Sequence, residues 1–297
     1  MYRFDGRVAV VTGAGRGIGR AYARLLAERG AAVVVNDLGG SIEGAGADAG
    51  PAGEVAAEIE AAGGTAVADG HDVSTAAGSG AVVAAAVGTY GRIDIVVNNA
   101  GIIRWAGPPD VDEANLAAHL AVHTIGSFNT IRAAWPHMAG QGYGRIVNTT
   151  SSGIFGLANN TSYATAKAAV IGLTRSLVVA GAKRGIRANL IAPAAMTRMA
   201  GGEGQSQDMA PELAAPMAAF LAHESCPVSG EIYTAGAGRF ARLFIASTEG
   251  YVDPGPTPSI EDVAGHWEQI NDETGYWIPG SLMEWSATFL SHLQGGG

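Results

Sequence analysis

Tyr163 and Lys167 stand four residues apart in S-Y-A-T-A-K. Residues at that spacing share one face of a helix. A phenol beside an ammonium is an acid–base pair, because the cation favours phenolate and draws the tyrosine pKa down from about 10. The chain holds two lysines and 8 tyrosines, so chance supplies such a pair only about 0.05 times per chain. Two serines, Ser151 and Ser152, lie just upstream. A hydroxyl there suits the orientation of an alcohol or ketone oxygen while the phenol moves its proton. A second constellation lies near the N-terminus. T-G-A-G-R-G-I-G brings Gly13, Arg16, Gly17, Ile18 and Gly19 into one turn, and N-N-A-G places Asn99, Ala100 and Gly101 further on.

These residues need a scaffold, and the apolar pattern predicts one. Short apolar runs at 7–12, 31–36, 65–68, 93–98, 145–149 and 186–191 read as buried strands, with a seventh at 231–235. Helix-length segments near 17–30, 53–63, 74–90, 111–139, 160–184 and 209–223 separate them. Runs without polar alternation between helices indicate a parallel sheet covered on both faces. The expected fold class is α/β, a doubly wound seven-stranded Rossmann sheet. Two stretches leave this rhythm. Residues 39–53 are too glycine-rich for an element and read as an inserted surface loop. The expected division is a catalytic domain over 1–240 and an extension over 241–297.

In such a sheet the glycine turn between strand one and helix one lets the backbone approach a pyrophosphate at a helix N-terminus. Gly13, Gly17 and Gly19 fit that role. Asp37 ends strand two, eighteen residues after Gly19. A carboxylate there accepts hydrogen bonds from the adenosine ribose and repels a 2′-phosphate, which favours NAD over NADP. Arg16 opposes that preference as a cation in the same turn, but Leu38 adds no cation beside Asp37.

The tyrosine–lysine pair, the glycine turn and N-N-A-G, in this order and spacing over roughly residues 5–240, resemble the short-chain dehydrogenase/reductase family. The resemblance implies an NAD-dependent oxidoreductase that interconverts a secondary alcohol and a ketone. It implies that Asp72 and Val73 contact adenine and that Asn99, Ala100 and Gly101 line the cofactor cleft. It implies that Pro193 to Thr197, P-A-A-M-T, hold the nicotinamide carboxamide, with Ala194 in place of the usual glycine. Tyr163 and Lys167 then also touch the cofactor. The matching serine is Ser151, twelve residues before Tyr163 rather than thirteen, and Ser152 stays open as the alternative. At the fourth position, usually asparagine, A-V-H-T-I-G-S-F places His123, expected to link the lysine through water to the backbone. His119 lies four residues before it, but no third ligand completes a metal site.

V-V-V-N-D-L-G-G with its glycine-rich insert, V-H-T-I-G-S-F, R-A-A-W-P-H-M and H-E-S-C resemble one branch, the dehydrogenase part of peroxisomal multifunctional enzyme type 2. That branch implies a lipid-like substrate, a (3R)-hydroxyacyl-CoA. A steroid alcohol is the alternative, and a non-catalytic NAD-binding scaffold or sensor is the alternative of another class. Arg104, Arg198, Arg239 and Arg242 are candidate partners for coenzyme A phosphates. The helices at 111–139 and 160–184 resemble those that pair subunits, which implies a homodimer or homotetramer.

The formal net charge of -9 argues against a nucleic-acid partner. After Arg242 the sequence has no lysine or arginine but eight carboxylates, so the excess charge sits in the extension. That extension also carries Trp267, Trp277 and Trp285, too aromatic for a disordered tail. It is expected to act as a lid or an inter-subunit cover. Cys226 is the lone cysteine, which excludes an internal disulfide. The first strand begins within about seven residues, and no uncharged apolar stretch has the length of a membrane span. Cytoplasmic placement without a signal peptide or membrane span is the expectation.

Overall fold

The computed structural model describes residues 1–202, 207–255 and 257–294. The chain divides into two compact units, Met1–Arg242 and Leu243–Gly297.

The first unit is built on one sheet. Its strands are β1 (Val8–Thr12), β2 (Ala32–Asn36), β3 (Thr65–Asp69), β4 (Ile95–Asn98), β5 (Gly144–Thr149), β6 (Ile186–Pro193), β7 (Ile232–Gly236) and β8 (Arg239–Leu243). They lie in the order β3-β2-β1-β4-β5-β6-β7-β8, and β1 to β7 pair in parallel. Alternate side chains enter opposite cores, which explains the unbroken apolar runs. Ala9, Val11, Val33, Val35, Ile95 and Val97 join one buried cluster. Val8, Val10, Val34, Val96 and Ile146 join the other. Such two-faced burial requires helices on both sides. They are α1 (Gly17–Glu28), α2 (Gly50–Ala61), α3 (Ala76–Tyr90), α4 (Glu113–His119), α5 (Gly126–Gln141), α6 (Thr161–Gly181) and α7 (Ala215–Ala222). The strand order reverses between β1 and β4, and at such a switch point the loops splay to leave a ligand crevice.

Three features differ from the sequence-based expectation. The sheet has eight strands rather than seven. β7 returns through Ala237 and Gly238, whose φ values of 50° and 73° suit a two-residue hairpin turn. The inserted loop ends earlier than residue 53, because Gly50 already begins α2 with Pro51 in its first turn. The long helix at 111–139 is not uniform. A π-helical turn, Leu120–Ile125, joins α4 to α5, and His123 sits inside it.

One helical stretch, 161–184, is long and apolar enough to cross a bilayer by length and composition alone. It carries Lys167, Arg175, Lys183 and Arg184. Its buried residues Ser162, Ala166, Lys167, Val170, Ile171 and Thr174 mark it as a core helix of the first unit.

The second unit contains α8 (Ile260–Gly265), α9 (Trp267–Ile270) and α10 (Leu282–Phe289). Ser259 and Asp262 form a reciprocal capping box at the start of α8. Its aromatic residues pair within the unit: Phe244 stacks on Tyr276 at 5.8 Å and Trp285 on Phe289 at 4.5 Å.

Candidate active site

The switch point gathers the glycine turn, the N-N-A-G segment and the loop after β6. A Cβ at Gly13, whose φ is +64°, would come within 2.8 Å of the Ala100 backbone. A Cβ at Gly19 would strike the Gly13 carbonyl. Both positions therefore require glycine for close packing of strand, turn and helix. Gly17, with φ +52°, faces Thr197 across the turn, its Cβ position 3.4 Å from the Thr197 methyl. Asn99 fastens the crevice floor, donating from Nδ2 to the Thr12 and Gly13 carbonyls at 3.0 and 3.1 Å. Thr12 Oγ1 accepts from the backbone N–H groups of Asn99 and Ala100, both at 3.0 Å.

Asp37 lies against the same turn. Its carboxylate accepts from Gly15 N–H at 2.8 Å and Gly39 N–H at 2.7 Å. Arg16 is the residue that precedes α1, in extended conformation. Asp72 follows β3 and accepts from Ser74 N–H at 2.9 Å, while Val73 is buried. Pro193 ends β6, and Ala194 N–H bonds to Ala235 O at 2.8 Å, so the alanine is accommodated in that loop. The sequence reading missed a polar cluster between β2 and β3. Asn36 donates to Asp69 at 2.7 Å, and His71 Nδ1 meets the same carboxylate at 2.9 Å. Asn36 and Asp69 close their strands, a position no motif announces.

The reacting groups converge beyond β4 and β5. The Tyr163 ring edge and Ser151 Oγ converge on Gly153, 3.1 and 3.2 Å from its Cβ position. Ser151 Oγ also accepts from Gly153 N–H at 2.9 Å. Ser152 begins a short 3-10 turn, Ser152–Phe155, and is exposed. The structure thus brings Ser151, and not Ser152, to the tyrosine. Ser151→Ala is expected to lower kcat by about 10²-fold, against a small change for Ser152→Ala. Steady-state rates of the two variants check this, and the reverse ranking transfers the role to Ser152.

Lys167 is buried, and its Nζ donates to Thr149 O at 2.8 Å. Nζ lies 5.7 Å from the centroid of the Tyr163 ring. Burial pushes the lysine pKa down to about 7. Burial also raises the Tyr163 phenol, against a smaller lowering by the Ser151 side chain. Desolvation penalises both charged forms, so the phenol and the ammonium are each pushed toward neutrality.

His123 is buried beside the reacting groups. Its Nε2 is engaged by the Ile102 backbone, 2.8 Å from the carbonyl and 3.2 Å from the N–H. No hydrogen bond joins it to Lys167 among the described residues. The imidazole stands edge-on to the Tyr163 ring, with centroids 5.4 Å apart. His119 stacks on His123 at 5.9 Å and stands edge-on to Tyr163 at 6.3 Å. Burial lowers the pKa of both histidines, that of His123 to well below the usual value, and the Lys167 charge lowers each further. Both rings are thereby kept neutral.

A glycine crevice at a sheet reversal, ending on a serine–tyrosine–lysine cluster, defines a nucleotide-dependent oxidoreductase site. The sequence profile of the short chain dehydrogenase family matches residues 7–208, and the chain belongs to that family. It is an oxidoreductase of the kind acting on CH–OH groups. Three similar proteins narrow the comparison. Peroxisomal multifunctional enzyme type 2 of Drosophila melanogaster is 41% identical over 98% of this chain and 50% of its own length. Its solved structure superposes with a TM-score of 0.81 at 36% identity over the same shares. The chain thus spans about half the length of that relative. A hydroxyacyl-CoA dehydrogenase of Mycobacterium tuberculosis is 37% identical over 77% of each chain. A 7α-hydroxysteroid dehydrogenase, solved with NADH and 7-oxo glycochenodeoxycholic acid, matches with a TM-score of 0.69 and 32% identity. That match covers 80% of this chain and 95% of the other.

Proposed function

We propose that this chain oxidises a (3R)-hydroxyacyl-CoA to the 3-ketoacyl-CoA with NAD as the acceptor. The observation that carries the proposal is the convergence of Ser151 and Tyr163 at Gly153, with Lys167 buried beside the phenol ring. The residues present fit a dinucleotide. Gly13 and Gly19 leave open the space a side chain would fill, the turn opens α1, and Asp37 stands where a ribose is read. When bound, the nicotinamide accepts the hydride that leaves the carbinol carbon. Ser151 Oγ holds the substrate oxygen, and Tyr163 Oη takes its proton. Lys167, held on the Thr149 carbonyl, stabilises the phenolate that precedes this step. The likeness to a hydroxyacyl-CoA dehydrogenase supports the acyl-CoA class. The likeness to a hydroxysteroid dehydrogenase favours a second reading, a steroid alcohol.

A panel of (3R)- and (3S)-hydroxyacyl-CoAs and hydroxysteroids, each with NAD, separates these readings. The proposal expects the highest kcat/KM on a (3R)-hydroxyacyl-CoA, and a higher value on a steroid overturns it.

The NAD preference rests on Asp37, whose charge opposes a 2′-phosphate. Asp37→Ala is expected to reduce the ratio of kcat/KM for NAD over NADP by about tenfold or more, with Arg16 left to attract the phosphate. A wild-type enzyme that prefers NADP contradicts this assignment.

A further inference from the structure

Residues 102–104 form an extended segment directly after N-N-A-G, and their hydrogen bonds alternate. Ile103 N–H donates to Ile42 O of the inserted loop at 2.8 Å. Arg104 Nε donates to the neighbouring Glu43 O at 2.7 Å. Ile102 N–H and Arg104 N–H point the other way, toward α4 and the π-turn. There Arg104 N–H donates to Nε2 of His119 at 3.2 Å, and the Ile102 backbone meets Nε2 of His123, 2.8 Å from the carbonyl and 3.2 Å from the N–H. Asn115, one turn earlier, donates from Nδ2 to Arg104 O at 3.2 Å. The spacing 115, 119, 123 is one helix face.

The alternation is that of a strand with a different partner on each edge. A sheet neighbour offers backbone carbonyls, but a helix has already spent its own on its i→i+4 ladder. A strand edge laid along a helix must therefore be met by side-chain acceptors. Imidazole Nε2 accepts a hydrogen bond only when neutral, with the other nitrogen carrying the proton. His119 satisfies this, because its Nδ1 donates to Asn115 O at 2.8 Å. The same ring is fully buried, stacks on His123 and meets the Tyr163 ring edge-on. Among the described residues it is thus the side chain that both holds the Arg104 backbone and bears on the Tyr163 ring.

We infer that His119 is a positioning residue of the reaction, holding the 102–104 segment against α4 and setting the Tyr163 ring for proton transfer. Leucine at 119 keeps the bulk and loses the acceptor. Glutamine keeps an acceptor oxygen at similar reach. The kinetic readout rests on the function proposed above, whereas the exchange readout does not.

The test compares wild type, His119→Leu and His119→Gln by amide hydrogen exchange of peptides over 100–106 and by kinetics with NAD and (3R)-3-hydroxybutanoyl-CoA. For His119→Leu the expected results are exchange over 100–106 faster by about tenfold and kcat lower by about tenfold to hundredfold, because a small displacement of the phenol is costly. The KM for NAD is expected to stay within about twofold, since the glycine crevice is untouched. His119→Gln is expected to restore both exchange and kcat to within about threefold of wild type. Wild-type exchange and kcat in His119→Leu overturn the inference, as does a His119→Gln variant impaired like the leucine variant. If His119→Leu does not fold, His119→Gln decides alone: near-native exchange supports the inference and loss of protection overturns it. If wild type does not turn over the acyl-CoA, the proposed substrate fails and exchange alone decides the positioning role.

Discussion

Tyr163→Phe is expected to lower turnover by about 10²–10⁴-fold, the range in which a positioned proton carrier contributes. NAD binding is expected to stay close to wild type. The variant removes one oxygen and keeps the ring, so the edge-on contacts with His119 and His123 survive. The glycine crevice and Asp37 belong to other elements and are untouched. The lost atom is the one that would receive the substrate proton. Burial raises the phenol pKa, so wild-type oxidation is expected to speed up as pH rises and phenolate becomes accessible. Steady-state rates and titration of NADH fluorescence check both parts. Near-native turnover in the phenylalanine variant removes Tyr163 from the chemistry.

Lys167→Met carries a paired expectation: activity falls by about 10²-fold or more while the protein becomes more stable at neutral pH. The sign follows from linkage. Burial depresses the folded-state pKa to about 7 from an ordinary 10.5. The unfolded chain therefore holds a proton that the folded chain resists across that window. Folding with this lysine is most costly below about pH 7, and the cost fades as pH climbs toward 10.5. At about 1.4 kcal/mol per pKa unit, the penalty at neutral pH is a few kcal/mol. Methionine of similar length escapes it, offset by about 1 kcal/mol for the Thr149 carbonyl that loses its donor. Melting temperatures are expected to favour the variant at pH 7 and to converge with wild type near pH 10. A variant less stable than wild type at both pH values contradicts the desolvation account.

The parts legible in the sequence were those with a period or a fixed spacing. The seven parallel strands showed because both faces of Val8–Thr12 and its neighbours are buried, which leaves apolar runs without polar alternation. Tyr163 and Lys167 showed because helix geometry fixes what a four-residue spacing means. β8 was hidden because its turn uses Ala237 at positive φ, a conformation that residue rarely adopts. The start of α2 was hidden in a glycine-rich stretch whose Pro51 is a helix-start signal. The contact of His123 with the Ile102 backbone was hidden because that partner lies 21 residues away and no local rule reports it. The pKa directions of Lys167 and Tyr163 depend on burial, which a spacing cannot reveal.

The central claim is that Tyr163, Ser151 and Lys167 serve direct transfer of a hydride from a carbinol carbon to NAD. It is tested most directly with (3R)-3-hydroxybutanoyl-CoA deuterated at C3, followed by mass spectrometry of the nicotinamide product and of solvent. The account predicts one deuterium in NADH for each ketone formed, none in water, and transfer slowed by about 10²–10⁴-fold with Tyr163→Phe. Deuterium released to water, or ketone formed without labelled NADH, contradicts it.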